Sequence, residues 1–539
     1  MKYSPLFIFM VLAVSACGGI FPAPATPTMT PSPEPSAIPT VSIPTLWISP
    51  AVPEMLKNVM KVPDQFNLEG SSDIADYIVD VSGNMDSESK WIYALTAPFP
   101  TIPNGVSLAE LEHVWQGGKS DIFPDKPILM TRETLAAFES LWGKANENSI
   151  NLVMAKDLAK TAWQEKSWAL VPFEELQPEL KVLEVDGKSP LNSDFNQGSY
   201  PLIVDFSVKP NLKKGESKNY AENLFVLPKS NFNPDLMTSV LMTGTTALVR
   251  STAERMETKG ISYPGEKIGS ILRDADFTHM SNEVSFTPDC PKPDPWFINL
   301  RFCSNPEYIR LLEEMSVDIV ELTGNHLLDY NPDGFIFSTN LYKELGIRTF
   351  GGGGNLQEAR EPLIIEHNGN RIAFIGCNPV GPDYVWATEK SPGAASCDFK
   401  EYQAKIKELK AEGLLVIATL QDQENYEFMP VPEVKKHLDE LSEAGADIVS
   451  GSQAHFPQGF AFGRNGLIHY GLGNLFFDQM DYPVVGTRRE FYDKHFFYDG
   501  KYIGTLVFTG MLEDYAQPRP MITDERSQFL SDIFAVSGW

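Results

Sequence analysis

The sequence has little cysteine, little positive charge and no N-terminal apolar run long enough to span a bilayer. Its 539 residues include 5 cysteines, too few for a disulfide-built scaffold. Lys and Arg number 44 against 71 Asp and Glu, and the net charge of -27 argues against a nucleic-acid partner, which basic side chains would have to bind. The hydrophobic share of 42% supplies ample material for buried cores. The length favours more than one domain, because single cores stop growing near ~250–300 residues.

The N-terminus predicts where the protein resides. Lys2 precedes the apolar run Pro5–Val14, which is shorter than the ~20 residues of a membrane span and is typical of a secretory signal. Val14–Cys17 resembles a bacterial lipobox, which implies that residues 1–17 are a lipoprotein signal peptide and that Cys17 is acylated. We therefore expect an anchor on the outer face of the cell membrane. An ordinary signal peptide, cut elsewhere, is the alternative.

A proline-rich segment and a first folded region follow. Residues 18–54 predict an extended linker, because prolines favour polyproline geometry and the segment has little apolar surface to bury. Residues 55–231 predict a smaller α/β domain. Its stretch Trp168–Leu191 resembles one lobe of the phosphate-type solute-binding proteins. Ligand capture and a spacer or docking role both remain open for this domain.

Four cysteines remain outside the signal: Cys290, Cys303, Cys377 and Cys397. Outside the cell they are free to oxidise, and several pairings are possible. We expect the two pairs that are local in sequence, Cys290–Cys303 and Cys377–Cys397. A zinc site is disfavoured, because no C-x-x-C spacing occurs.

The second region, residues 232–539, alternates between helical and strand periodicity. Apolar positions predict a helix over Tyr308–Met315 and a strand over Asp318–Leu322, and the pattern recurs as a helix over Phe399–Glu412 and a strand over Leu414–Leu420. Repeated helix–strand units predict an α/β fold with a largely parallel sheet. Ligands of such sheets bind at the carboxyl ends of the strands, where polar residues cluster in this sequence.

Motifs at those strand ends are similar to a known family, the CapA-type poly-γ-glutamate capsule-synthesis proteins, whose fold is that of calcineurin-like metallophosphatases. The segments that carry the resemblance are Gly244–Arg250, Ser281–Glu283, Thr323–Tyr330, Gly351–Arg360, Ala444–Gly459 and His469–Asp478. The resemblance implies a layered sheet-and-helix domain with a metallophosphatase-like cleft.

The departures from the family pattern fall on its metal ligands. Thr245 stands where the family has Asp, Ser281 where it has Asn, and Gln421 where it has His. The Gly-His-His-Pro-His pattern survives only in its last imidazole, His455. Since Glu283 is then the one anion at the matched positions, two dications would carry uncompensated charge.

A single divalent ion stays open, and no cofactor is certain. Mg²⁺ or Ca²⁺ prefers oxygen ligands, which Glu283, Asn325 and nearby carbonyl groups could supply. The family's general acid, which protonates a leaving oxygen, corresponds to His326, whose ordinary pKa near ~6.5 suits that task.

We expect eight residues to form the site. The candidate catalytic residues are Glu283, Asn325, His326 and His455, and the candidate substrate-binding residues are Thr245, Gln421, Gln453 and Asn474. The four candidate catalytic residues also have structural interpretations. Asn325 and His326 could be turn residues, His455 a buried structural histidine, and Glu283 a charged residue at the rim of the site.

Three functions fit the sequence. The first is a surface lipoprotein that handles or acts on an extracellular polymer with the capsule machinery, as a hydrolase or transferase at amide or ester bonds. The second is a non-catalytic protein that only binds a polymer or glycan, which the lost ligands favour. The third is a receptor whose N-terminal domain captures a solute.

Overall fold

Large mixed sheets organise the part of the chain that the computed structural model describes, which is residues 43–64, 66–83, 87–211, 225–296 and 299–539. The predicted signal peptide, Cys17 and most of the linker lie outside these residues. Residues 44–539 fold as one body. Among the described residues, no helix combines the length and apolarity that crossing a membrane requires.

In its described residues, the N-terminal domain is a mixed sheet with four α-helices. Its strands are β1 (Thr45–Ile48), β2 (Asn67–Leu68), β3 (Tyr77–Val81), β4 (Ser89–Pro98), β5 (Gly105–Val106), β6 (Ile128–Met130), β7 (Ile150–Leu152), β8 (Ala169–Pro172), β9 (Leu180–Val185) and β10 (Ile203–Pro210), and its helices are α1 (Glu54–Val59), α2 (Leu108–Trp115), α3 (Arg132–Trp142) and α4 (Leu158–Glu165). The strand order is β2-β1-β3-β10-β4-β8-β6-β7, with β9 pairing with β4 and β5. Ser107 and Thr131 cap α2 and α3 by accepting backbone N–H bonds.

This domain begins before the predicted boundary at residue 55. Thr45–Ile48 is a strand of the sheet and pairs in parallel with β3. Leu46 is fully buried in the domain core. The predicted linker of 18–54 is therefore too long at its end, because a short run of β-prone side chains between Pro44 and Pro50 has enough apolar surface to join the sheet between β2 and β3.

The C-terminal domain contains two further large sheets. The first has the order β14-β13-β12-β11-β23-β24-β25 and the second the order β16-β17-β19-β20-β22-β21. The strands are β11 (Met237–Thr246), β12 (Phe277–Asn282), β13 (Val317–Glu321), β14 (Arg348–Phe350), β15 (Gly352–Gly353), β16 (Leu363–His367), β17 (Asn370–Cys377), β18 (Gly393–Ala394), β19 (Leu415–Leu420), β20 (Ile448–Gly451), β21 (Phe460–Phe462), β22 (Leu467–His469), β23 (Arg489–Tyr498), β24 (Lys501–Glu513) and β25 (Gln517–Pro520). The helices are α5 (Arg250–Lys259), α6 (Gly269–Leu272), α7 (Ile309–Glu314), α8 (Asn331–Glu344), α9 (Leu356–Arg360), α10 (Phe399–Ala411), α11 (Pro432–Ala444) and α12 (Thr523–Val536).

The two sheets pack face to face with helices outside them. Val240 and Ile319 of the first sheet share a core with Phe374 and Ile417 of the second. The outer face of the first sheet packs against α5, α7 and α8, and that of the second against α10 and α11. The predicted α/β class is confirmed as a four-layer arrangement of helices, two sheets and helices.

Parallel pairing brings several strand ends to one edge. Strands β11, β12, β13 and β14 run parallel, as do β17, β19 and β20. An isolated parallel bridge between Thr245 and Asn474 lies at the carboxyl end of β11. Loops distant in sequence therefore meet at this edge, which we call the strand-end cleft.

Both predicted disulfides are confirmed. Cys290 pairs with Cys303 in the segment that follows β12, and Cys377 at the end of β17 pairs with Cys397 before α10. Each bond closes a loop beside the strand-end cleft.

Candidate functional site

Glu283 lies at the base of the strand-end cleft, directly after β12. Its backbone N–H donates to the Thr246 carbonyl at 3.0 Å, and the residue is only 1% exposed. Gly324 packs against it so closely that a Cβ atom there would lie 2.6 Å from the Glu283 Cα. A glycine is therefore required for the loop after β13 to approach this carboxylate.

His455 and Gln453 face Glu283 from the loop after β20. The Glu283 Oε1 atom lies 3.4 Å from Gln453 Nε2 and 3.9 Å from His455 Nε2. His455 Nδ1 bonds Asn474 Oδ1 at 2.8 Å, and the Asn474 amide donates to Thr487 O. Because Asn474 offers an oxygen, His455 carries its hydrogen on Nδ1 and presents Nε2 to the carboxylate.

His326 stands beside this group on the loop after β13. Its Nδ1 lies 2.7 Å from Asp329 Oδ2, and Tyr384 donates to the other oxygen of Asp329 at 3.1 Å. Burial opposes a charge on His326, but the bond to Asp329 and the charge of Glu283 outweigh it, so its pKa is raised. The Nε2 atom of a proton-bearing imidazole remains available to a ligand.

The other predicted residues lie behind or beside these groups. Thr245 donates its hydroxyl to the Ser452 carbonyl, and the Ser452 hydroxyl oxygen lies 3.4 Å from Gln421 Oε1. Thr245 and Gln421 are fully buried, so they support the loop after β20 from below. Asn325 has a buried Oδ1 atom without a hydrogen-bond partner in the described part of the chain. The structure thus gathers the predicted residues at one edge, while their chemical roles stay predictions.

Glu321 is a buried carboxylate that the sequence interpretation missed. It is fully buried at the end of β13, where Thr323 donates to its Oε1 at 2.5 Å and Ser452 at 2.8 Å. His279 Nε2 lies 3.4 Å from its other oxygen. One carboxylate thus joins the loops that carry His326 and His455. Its partners Ser452 and Thr323 become apparent only in the fold, so no local pattern in the sequence identifies it.

An arginine set between two aromatic rings forms another wall of the cleft. The Arg250 guanidinium lies 5.0 Å from the centre of the Phe302 ring and 5.4 Å from that of Phe477. Phe302 contacts His326 edge-on at 4.7 Å, and His455 stacks on Phe477 at 4.8 Å. These contacts fix the two imidazoles relative to one cation, which itself pairs with a carboxylate, Asp478.

The donor set does not fit a two-metal centre. The Thr245 hydroxyl is committed to a carbonyl oxygen, and Gln421 and Gln453 supply neutral amides where such a centre needs charge. In the described residues, no group of three or more His, Cys, Asp or Glu could hold a metal ion. A single hard cation beside Glu283 and Asn325 stays a prediction.

Comparisons with known proteins match the C-terminal domain. Residues 239–479 match the family model described as bacterial capsule synthesis protein PGA_cap. The capsule biosynthesis protein CapA of Bacillus anthracis is 24% identical over 45% of this chain and 60% of its own length. The PGA biosynthesis protein CapA of Bacillus subtilis is 24% identical over 47% of this chain and 66% of its own length. The chain therefore spans less than two thirds of either relative.

Likenesses to solved structures are slight. The Haemophilus influenzae NAD nucleotidase shares 10% identity at a TM-score of 0.33, over 56% of each chain. An ABC-type phosphate transport receptor from Vibrio cholerae shares 10% identity at a TM-score of 0.26, over 31% of this chain and 85% of its own. Both scores are too low to bear on function, and the solute-binding resemblance stays a prediction. The family match and the two relatives show that the C-terminal domain of this chain is similar to the CapA-type bacterial capsule synthesis proteins.

Proposed function

We propose that this protein is a membrane-anchored, extracellular accessory protein of capsule synthesis that acts on a poly-γ-glutamate-type polymer in its strand-end cleft. The family match and the capsule-synthesis names of the relatives support the polymer class. The lipobox-like segment ending at Cys17 supports the anchor.

The convergence of Glu283, His326 and His455 carries the proposal. Hydrolysis or transfer at an amide or ester bond needs a base for the attacking group and an acid for the leaving group. Glu283, within 3.9 Å of an imidazole, is placed to accept a proton. His326, held by Asp329 and carrying a raised pKa, is placed to donate one from Nε2.

A non-catalytic polymer-binding role is the second candidate. The neutral side chains at Thr245, Gln421 and Gln453 favour it, since they replace positions that the family resemblance assigns to charged or imidazole ligands. Arg250, His326 and His455 would still attract the carboxylates of an acidic polymer.

Incubation of full-length protein with γ-linked glutamate oligomers separates the two candidates. We expect shortened or transferred oligomers by mass spectrometry, and a loss of at least about 100-fold in rate for Glu283→Gln and for His326→Gln, as for removal of a general base or acid. His367→Gln is the matched control, because His367 ends β16, at the turn into β17 and away from the strand ends of the cleft.

The outcomes are distinct. If both cleft variants lose turnover and the control variant keeps it, the catalytic role is supported. If no oligomer is altered but the oligomers raise the melting temperature of the wild type and not of His326→Gln, the binding role replaces it. If oligomers neither react nor bind, the polymer assignment is wrong.

The anchor has its own test. Mass spectrometry of the mature N-terminus from the native host should show an acylated Cys17, and Cys17→Ser should release the protein from membranes. An unmodified N-terminus at another residue would contradict the anchor while leaving the cleft proposal intact.

A further inference from the structure

A cavity of about 520 Å³ lies between the two domains, away from the strand-end cleft. One wall comes from β9 and the loop that follows it, and the other from β24 and α12. Its volume is within the range of about 300–1,000 Å³ that holds small ligands. Leu191, Leu506, Phe508 and Met521 give it apolar surface, while Lys181, Glu184, Asp194 and Arg526 give it charge.

Lys181 builds one side of the cavity. Its ammonium donates to the carbonyl oxygens of Thr101 at 2.8 Å and Pro103 at 2.7 Å, and to Asn104 Oδ1 at 3.0 Å. The three hydrogens of an ammonium are thereby used. Lys181 therefore fixes the turn before β5 and has no donor left for a ligand, and burial and the nearby Arg526 lower its pKa.

Arg526 reaches the same turn from the other domain. Its Nη1 donates to Ile102 O at 2.6 Å and its Nη2 to Asn104 Oδ1 at 2.8 Å. A guanidinium has five N–H donors, so donors remain for another acceptor. In the described part of the chain, Arg526 makes no ion pair with a carboxylate. Burial lowers the pKa of this guanidinium.

The cavity also contains two carboxylates, and one of them, Glu184, acts on Lys181 through its charge. Glu184 and Asp194 line it and make no ion pair among the described residues. The remaining pair of charges is satisfied internally, since Lys494 Nζ donates to Asp274 Oδ2 at 2.8 Å. The cavity therefore offers one available guanidinium and two available carboxylates.

We propose that this interdomain cavity binds a small amino acid-type zwitterion, with its carboxylate on Arg526 and its ammonium on Glu184 and Asp194. A guanidinium matches a carboxylate through two parallel N–H bonds, and a carboxylate accepts readily from an ammonium. The apolar side chains cover the carbon skeleton. This site is independent of the chemistry proposed for the strand-end cleft. Because both domains contribute groups, the bound ligand would hold the domains together.

Calorimetric titration of full-length protein with L-glutamate tests the proposal. We expect saturable binding, at least about 10-fold weaker in Arg526→Gln, and partly restored in Arg526→Lys, which keeps the charge but loses the planar fork. Arg464→Gln, at an exposed arginine outside the cavity, is the matched control. Glu283→Gln should bind as the wild type does, which separates this site from the cleft.

Ligand analogues test the zwitterion. Glutarate, which lacks the ammonium, should bind at least about 10-fold more weakly than glutamate. Glu184 is half-buried and Asp194 is exposed. The double variant Glu184→Gln, Asp194→Asn should remove the preference for glutamate over glutarate while leaving intact the Arg526 contacts that join the domains. Equal binding of glutarate and glutamate, binding unaffected by Arg526→Gln, or no binding of any probe would each overturn the proposal.

Discussion

Histidines at the strand-end cleft and histidines between the two sheets show opposite electrostatics. In the cleft, burial is outweighed by Asp329 and Glu283, and the pKa of His326 is raised. Between the sheets, His495 bonds the Thr505 hydroxyl at 2.7 Å, and burial lowers its pKa to about 4. The difference comes from the partner: a carboxylate favours the imidazolium, while a hydroxyl does not compensate for lost water.

The same contrast extends to how charge is used. Between the sheets, His469 Nδ1 lies 2.5 Å from Asp493 Oδ2, and both residues are almost fully buried. In the cleft, Glu283 Oε1 lies 3.4 Å from Gln453 Nε2 and 3.9 Å from His455 Nε2. The short contact between the sheets therefore stabilises the fold, while the longer contacts of Glu283 leave its carboxylate available to a ligand.

Breaking the buried pair between the sheets should have the largest effect. Asp493→Ala leaves His469 Nδ1 buried without its hydrogen-bond partner, and we expect a loss of about 3 kcal/mol in the free energy of unfolding, measured by urea denaturation. Asp235→Ala, at an exposed turn, is the control. A loss below about 1 kcal/mol would mean that the contacts between the sheets stabilise the fold no more than those in the strand-end cleft.

The free energy of unfolding should depend on the protonation of His495 at acidic pH. Its folded pKa of about 4 lies below the unfolded value of ~6.5, so its contribution is full above pH ~6.5 and is lost as pH falls toward 4. The shift corresponds to about 3 kcal/mol across that window. We expect His495→Gln to flatten the fall in unfolding free energy between those pH values. An unchanged slope would contradict the buried, neutral imidazole.

Gly324→Ala tests the close contact between the loop after β13 and Glu283 in the strand-end cleft. The added Cβ would lie 2.6 Å from the Glu283 Cα and must push the two loops apart. We expect a cost of about 1–3 kcal/mol in stability, together with loss of oligomer turnover or binding. Gly70→Ala, where a Cβ meets nothing within 4 Å and φ is not positive either, controls for the backbone effect of losing a glycine. Equal loss of function in both would contradict a close contact at Glu283.

His326→Gln should affect stability least. It removes the bond to Asp329, a net loss of about 1 kcal/mol. Because the folded pKa is raised, this contribution is full below pH ~6.5 and disappears as pH rises through the folded value. Unfolding curves of the wild type and variant should therefore converge at alkaline pH. A constant difference at all pH values would mean that the imidazolium does not form.

Periodicity predicted the elements that frame the cleft. A helix expected over Phe399–Glu412 is α10, and a strand expected over Leu414–Leu420 is β19, each within one residue at either end. Amphipathic spacing is a property of the local sequence, so it predicts helices and strands without knowledge of distant contacts. The meeting of loops at one edge followed from parallel pairing.

Features that depend on distant contacts were not predictable. Glu321 lies in a strand, where a charged residue is usually taken as solvent-facing, and only the fold shows that Ser452 and Thr323 satisfy it. Lys181 and Arg526 belong to different domains, and no local pattern indicates that they meet at one turn. The N-terminal domain begins before residue 55 because Leu46 is buried in its core, and this burial depends on strands distant in sequence.

Hydrogen–deuterium exchange of the full-length protein, with and without γ-linked glutamate oligomers, tests the central claim most directly. We predict protection in residues 281–287, 323–330 and 451–456, the loops that carry Glu283, His326 and His455. Protection confined to other surfaces, with these loops unchanged, would contradict the strand-end cleft as the site where the polymer binds.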